Sequence, residues 1–138
     1  MGSLSDTAET AVGKAIFQNT TYTAGSPLFL CLGTVADDTT FTEVANANGY
    51  ARLSVTMNAT NWPEDGVVKG RFTNNIALTT VTASGSWGTP TVWALATSGT
   101  YGAGSIVVYG AIDASTIQPI ASGQFGQFPI GTLIAAVD

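Results

Sequence analysis

The sequence predicts a mainly β protein, an antiparallel β-sandwich or barrel-like domain with one N-terminal α-helix. Three observations carry this reading. The stretch Arg52-Leu53-Ser54-Val55-Thr56-Met57 alternates polar and apolar side chains with period two, the pattern of a strand with one buried face. Short aliphatic runs recur along residues 27–138 at fairly regular spacing, with Gly-rich turns between them, as in sandwiches and barrels. Helical periodicity is confined to residues 3–19.

In chain order, Ser3 is a candidate N-cap with Asp6 three residues on, and Asp6 and Glu9 fall where a helix dipole favours acids. Leu4, Ala8, Ala11, Val12, Ala15 and Ile16 then line one face, and Asn19-Thr20-Thr21 ends the helix. Such a helix is expected to pack across a sheet, or else to reach a neighbour. After Ser26-Pro27 the run Leu28-Phe29-Leu30-Cys31-Leu32-Gly33 suits a strand buried on both faces. Val35 to Asn48 reads as a solvated loop carrying Asp37 and Asp38. Asn48-Gly49 is a turn feeding the alternating strand, which is expected to reach about Met57.

Residues 58–66 form a polar connection holding Trp62, an aromatic that either plugs the core edge or meets a partner. Val67–Phe72 and Ile76–Val81 read as strands around Asn74-Asn75. Residues 83–90 are a turn anchored by Trp87. Thr91–Ala96 and Ile106–Ile112 pair as a hairpin across the Gly-rich tip Ser98–Ser105, which carries Tyr101. Residues 113–124 connect, with Pro119 arguing against a central strand, and Ile130–Val137 is a last strand.

The 138 residues suit one domain, residues 1–138. Charged residues make up 9% of the chain, against about 25% in an ordinary soluble domain. A surface so poor in charge suits coverage by neighbouring subunits. The net charge is −5 and the four basic residues are dispersed, so no stripe exists to track a phosphate backbone and no nucleic-acid partner is expected. No apolar run reaches the ~18 residues of a membrane span, and no membrane partner is expected. The N-terminus lacks a secretory pattern, and Asp6 breaks the acylation motif that Met1-Gly2 would open. Cys31 has no second cysteine to pair with and sits between Leu30 and Leu32 as a small buried hydrophobe.

The chain holds no His, which removes the usual general base, most catalytic triads and the commonest metal ligand. The acids Asp37, Asp38, Glu43, Glu64 and Asp65 lie in polar loops where solvated carboxylates are the default, and Gly102-Ala103-Gly104 lacks the following helix of a phosphate loop. The expectation is a protein that is not an enzyme and that uses no cofactor and no metal.

Gly49-Tyr50-Ala51-Arg52-Leu53-Ser54-Val55-Thr56, an Asn61-Trp62 after it, then Ser86-Trp87-Gly88-Thr89-Pro90-Thr91-Val92-Trp93-Ala94-Leu95 and Val107-Val108-Tyr109-Gly110-Ala111-Ile112 follow in this order. Together, over roughly Leu4 to Asp138, they resemble a family of small tailed-phage virion proteins. Its members include tail fibre-like proteins, and similar small proteins serve as capsid decoration (cement) proteins. A fibre that reaches a receptor is normally a long chain with an attachment segment and a shaft repeat, whereas a small, weakly charged domain suits a capsid clamp.

The expected function is therefore a cement protein on the outer capsid surface, binding the major capsid protein and cross-bridging its neighbouring subunits without covalent bonds. The resemblance implies self-association as a trimer. The alternative is a small tail or tail fibre-associated protein with a receptor- or glycan-binding β module, whose candidate aromatics are Trp62, Trp87, Trp93 and Tyr101. Candidate partner-binding residues are Trp62, Asp37, Asp38, Tyr101 and Arg52, together with the N-terminal helix.

Overall fold

In the computed structural model, which describes residues 2–137, the chain enters as a two-residue strand, Ser3–Leu4 (β1), and Ser5 turns it into helix α1, Asp6–Phe17. Ser5 is the N-cap: its Oγ accepts the Ala8 N–H at 3.3 Å and donates to the Ile106 carbonyl at 2.6 Å. The helix thus begins after Ser5, not Ser3 as expected, because Ser3 and Leu4 are drawn into pairing with Tyr109 and Val108. Asp6 and Glu9 do occupy the first turn, and Lys14 lies in the last.

The strands that follow are β2 (Leu28–Ala36), β3 (Phe41–Glu43), β4 (Leu53–Val55), β5 (Arg71–Thr73), β6 (Leu78–Thr79), β7 (Val92–Ala96), β8 (Ile106–Ala111), β9 (Gln127–Phe128) and β10 (Ile134–Ala136). The main antiparallel sheet has six strands in the order β1-β8-β7-β2-β3, with β4 also paired to β2. Its register sets Leu4, Val108, Leu95, Leu30 and Leu53 side by side across the sheet. Period two therefore gives one wholly apolar face. The alternate rung, Ser3, Tyr109, Ala94 and Cys31, faces the other way. Ala94 and Cys31 are fully buried there, beneath Phe41, Ile106 and Tyr109. As expected from its apolar run, β2 is buried on both faces.

Two ribbons, β5–β10 and β6–β9, contribute Leu78, Phe128 and Ala135 to the core over the larger face, and Ala8 of α1 joins the same cluster. The result is mainly β and antiparallel with one helix near the N-terminus, and its sheet is open and layered. Asn74 joins the ribbons. Its amide donates to the carbonyls of Ile76 and Pro129 and accepts the Leu133 N–H, so both donors and the acceptor oxygen of a buried polar side chain have partners. Trp93 lies opposite Gly110, where an added Cβ would stand 2.9 Å from the indole ring.

Three expectations about loops and strands are corrected. The Val35–Asn48 loop contains a hairpin: β2 runs on to Ala36, Asp37 closes the turn, and β3 pairs back. The Asp37 carboxylate makes this turn by accepting the N–H groups of Thr39 at 2.9 Å and Thr40 at 2.7 Å. Val67 and Val68 are exposed and not in a strand, because their N–H groups go to Asp65 Oδ1 at 2.7 and 3.0 Å. The alternating strand narrows to Leu53–Val55, since Ser26 Oγ takes the Met57 N–H and Asn61 takes the Thr56 carbonyl.

Candidate functional site

Arg52 and Tyr101 meet at one end of the main sheet. The Glu43 carboxylate receives Arg52 Nε at 2.9 Å and the Tyr50 hydroxyl at 2.8 Å on one oxygen, and Arg52 Nη2 at 2.7 Å on the other. Arg52 Nη1 continues to the carbonyls of Ser98 and Ala103, at 2.7 and 2.8 Å. One guanidinium thus ties β3 to the hairpin tip, in the forked geometry that a lysine cannot reproduce. Its pKa is raised above the usual arginine value, chiefly by the Glu43 hydrogen bonds. The Arg52 and Glu43 side chains are 4% and 8% exposed, so Arg52 holds the tip in place and does not itself present to solvent.

Tyr101 stands on that tip, 39% exposed. Its ring is edge-on to Tyr50 at 6.2 Å, and Tyr50 is edge-on to Trp87 at 5.3 Å. Trp87 Nε1 donates to the Asn48 carbonyl, which fixes the inner end of the row. Burial pushes the Tyr50 hydroxyl far above its ordinary pKa, and this hydroxyl also accepts the Leu32 N–H. A cavity of ≈ 270 Å³ lies between Phe41, Arg52, Tyr101 and Ile106.

Phe41 and Ile106 also line a neighbouring cavity of ≈ 270 Å³ with Asp6, Asp37 and Asp38. Asp37 is held below the usual carboxyl range by the N–H groups of Thr39 and Thr40. Asp38 accepts the Tyr109 hydroxyl, and this bond to a carboxylate pushes Tyr109 up to about 12. Among the described residues no group of three or more His, Cys, Asp and Glu could hold a metal ion. No helix among them is long and apolar enough to cross a membrane.

Trp62 lies apart from these residues. It is 6% exposed and plugs the core edge, the first of its two expected roles. Its Nε1 is buried without a hydrogen-bond partner among the described residues. Trp62 also helps to wall a groove of ≈ 580 Å³ with Leu4, Val12, Met57, Phe72 and Val108. Asn58, Glu64, Tyr22 and Trp62 are the lining residues among those described that carry a side-chain nitrogen or oxygen. The structure therefore gathers Arg52, Tyr101, Asp37 and Asp38 around two adjoining cavities and sets Trp62 in a separate groove. Trp87 and Trp93 are buried, so Tyr101 is the exposed member of the four candidate glycan-binding aromatics.

The family model described as podophage GP4 fiber I protein gp80 matches residues 3–136. The chain belongs to this family. The match runs from β1 through β10 and so takes in both cavities and all of the groove lining but Val137. It bears out the resemblance carried by the Gly49–Thr56, Ser86–Leu95 and Val107–Ile112 blocks, and it makes the chain a structural protein of a tailed-phage virion. No curated protein matches the chain.

Sequence reasoning placed Glu43 among solvated loop acids, whereas it lies in β3 with its side chain buried against Arg52, and it did not single out Tyr50 or the groove. Glu43 carries one usable signal, a lone acid set between Phe41 and Val44 in a chain with few charges. The groove carries none, because its walls come from distant segments.

Proposed function

We propose that the chain is a small fibre-associated structural subunit of the phage tail, acting by contact with neighbouring virion proteins and not by catalysis. The observation that carries this reading is the family match over residues 3–136 to a fibre protein. Exposed apolar side chains in a charge-poor chain, Ile16, Phe17, Val67 and Ile130 among them, support a surface meant for coverage by subunits. Tyr101, held out on a braced tip, is the side chain best placed for a receptor or glycan contact. The absence of His from the sequence and the buried Cys31 thiol, pushed up to about 12, support a binding role over a chemical one.

A second reading is capsid decoration, with the major capsid protein as partner and a trimeric cement protein on the outer shell. It is favoured by the small, weakly charged domain, many copies of which would each bury a modest patch. Cryo-EM reconstruction of the virion separates the two. Density for this fold within tail fibres is the expected result, and density on the icosahedral shell would replace the tail reading with the clamp.

A further inference from the structure

Two features of the surface match each other. The last turn of α1 ends in Ile16 and Phe17, which are 68% and 87% exposed, the latter among the most exposed large apolar side chains of the protein. The apolar groove walled by Trp62 has room for both, at ≈ 580 Å³. Neither Ile16 nor Phe17 lines the groove of its own chain. Val12 already lines the groove, and Phe17 lies five residues further on, about 7.5 Å along the axis at ~1.5 Å per residue. The Gln18 N–H then closes on the Lys14 carbonyl and the helix stops.

Charge points to the same fit. Of the four basic residues, Arg52, Lys69 and Arg71 each have an acid within 4.0 Å, and Lys14 has none among the described residues. Lys14 precedes Phe17 by three positions and so shares its face of the helix. Glu64, on the groove wall, gives one oxygen to the Gly70 N–H, and among the described residues its other oxygen has only a long 4.0 Å approach from the exposed Lys69. A second cation can therefore join it.

We propose that a second copy of this chain fills the groove, inserting Ile16 and Phe17 from the end of its α1 and setting Lys14 against Glu64. The two patches differ, so the contact is head-to-tail and repeats until it closes a ring or continues as a filament. The proposal concerns self-association alone, and it stands whether the particle carries the chain at the tail or on the shell.

The test is sedimentation of the purified chain over a range of concentrations. Wild type is expected to self-associate, and Phe17→Ser to weaken association by about ten- to a hundredfold, the range expected for losing one buried aromatic. Because Phe17 is exposed, its circular dichroism and melting should not change. Lys14→Glu should also weaken association, and Lys14→Glu combined with Glu64→Lys should restore it. A wild type that stays monomeric throughout would overturn the proposal. So would association that Phe17→Ser leaves intact, or a double variant no tighter than Lys14→Glu alone.

Discussion

Glu43 and Arg52 face each other through two parallel hydrogen bonds, Nε to Oε1 at 2.9 Å and Nη2 to Oε2 at 2.7 Å, with both side chains buried. A buried pair of this kind is a weak source of net stability while intact, because desolvation offsets much of the attraction. Its value lies in what it positions, since the same guanidinium holds the carbonyls of Ser98 and Ala103 beneath Tyr101.

Arg52→Ala leaves Glu43 buried without its partner, and the expected cost is about 3–5 kcal/mol of unfolding free energy. Arg52→Lys keeps the charge, loses the fork and should fall in between. Urea denaturation measures both. Hydrogen exchange should also rise at the tip, at Ala103 and Ser105, more than in the β2–β7 pairing. Uniform exchange would show that the tip does not depend on Arg52.

Asn74 donates twice and accepts once among the ribbons. Asn74→Asp replaces both donors with acceptors aimed at the carbonyls of Ile76 and Pro129. It should cost more than about 2 kcal/mol at neutral pH. The deficit should shrink on acidification, because a protonated carboxyl regains one donor. Chemical denaturation at two pH values reads this directly.

Trp62 tests how much of its contribution is shape. Trp62→Ala removes a buried ring and should cost about 3–5 kcal/mol. Trp62→Phe also removes the unmatched Nε1–H, so the loss should stay below about 1.5 kcal/mol. Equal losses in the two variants would mean that the indole nitrogen has a partner in solution.

The pH profile has two ends. Asp37, Asp65 and Asp113 are held below the usual carboxyl range by hydrogen bonds from neighbouring N–H and hydroxyl groups. Their stabilisation is complete above the ordinary Asp pKa of about 3.9 and is lost as pH falls below it. Cys31 and Tyr109 are each raised to about 12, by burial and by the Asp38 hydrogen bond respectively. Their contributions are complete below the ordinary pKa values of about 8.5 and 10, and are lost as pH rises from there towards about 12. Thermal melts should therefore plateau between roughly pH 5 and 8 and fall on both sides. Native Cys31 should resist a thiol reagent at pH 8 and react once urea unfolds the chain.

What was legible in the sequence were elements that carry their own reasons. Leu28–Gly33 announces a strand buried on two faces by being apolar at every step, and the Gly-rich tip between two aliphatic runs announces the β7–β8 hairpin. Asp6 and Glu9 place the first turn of the helix to within a few residues. What failed needed a partner distant in sequence. Ser3 and Leu4 become a strand only because Tyr109 and Val108 lie alongside. The Asp37 and Asp65 side chains override the local appearance of a loop and of a strand. Alternation showed which way Arg52 points relative to Leu53 but could not name Glu43 as its acceptor. The groove assembles Leu4, Met57, Phe72 and Val108 from separate parts of the chain, so no window of sequence contains it.

We propose that this chain serves the phage tail as a fibre-associated structural subunit. Quantitative mass spectrometry of purified virions, read as copies of this chain per copy of the major capsid protein, tests it most directly. A small ratio, with the chain following the tail when heads and tails are separated, is the predicted result. A ratio near that of a shell component, with the chain following the heads, would contradict it.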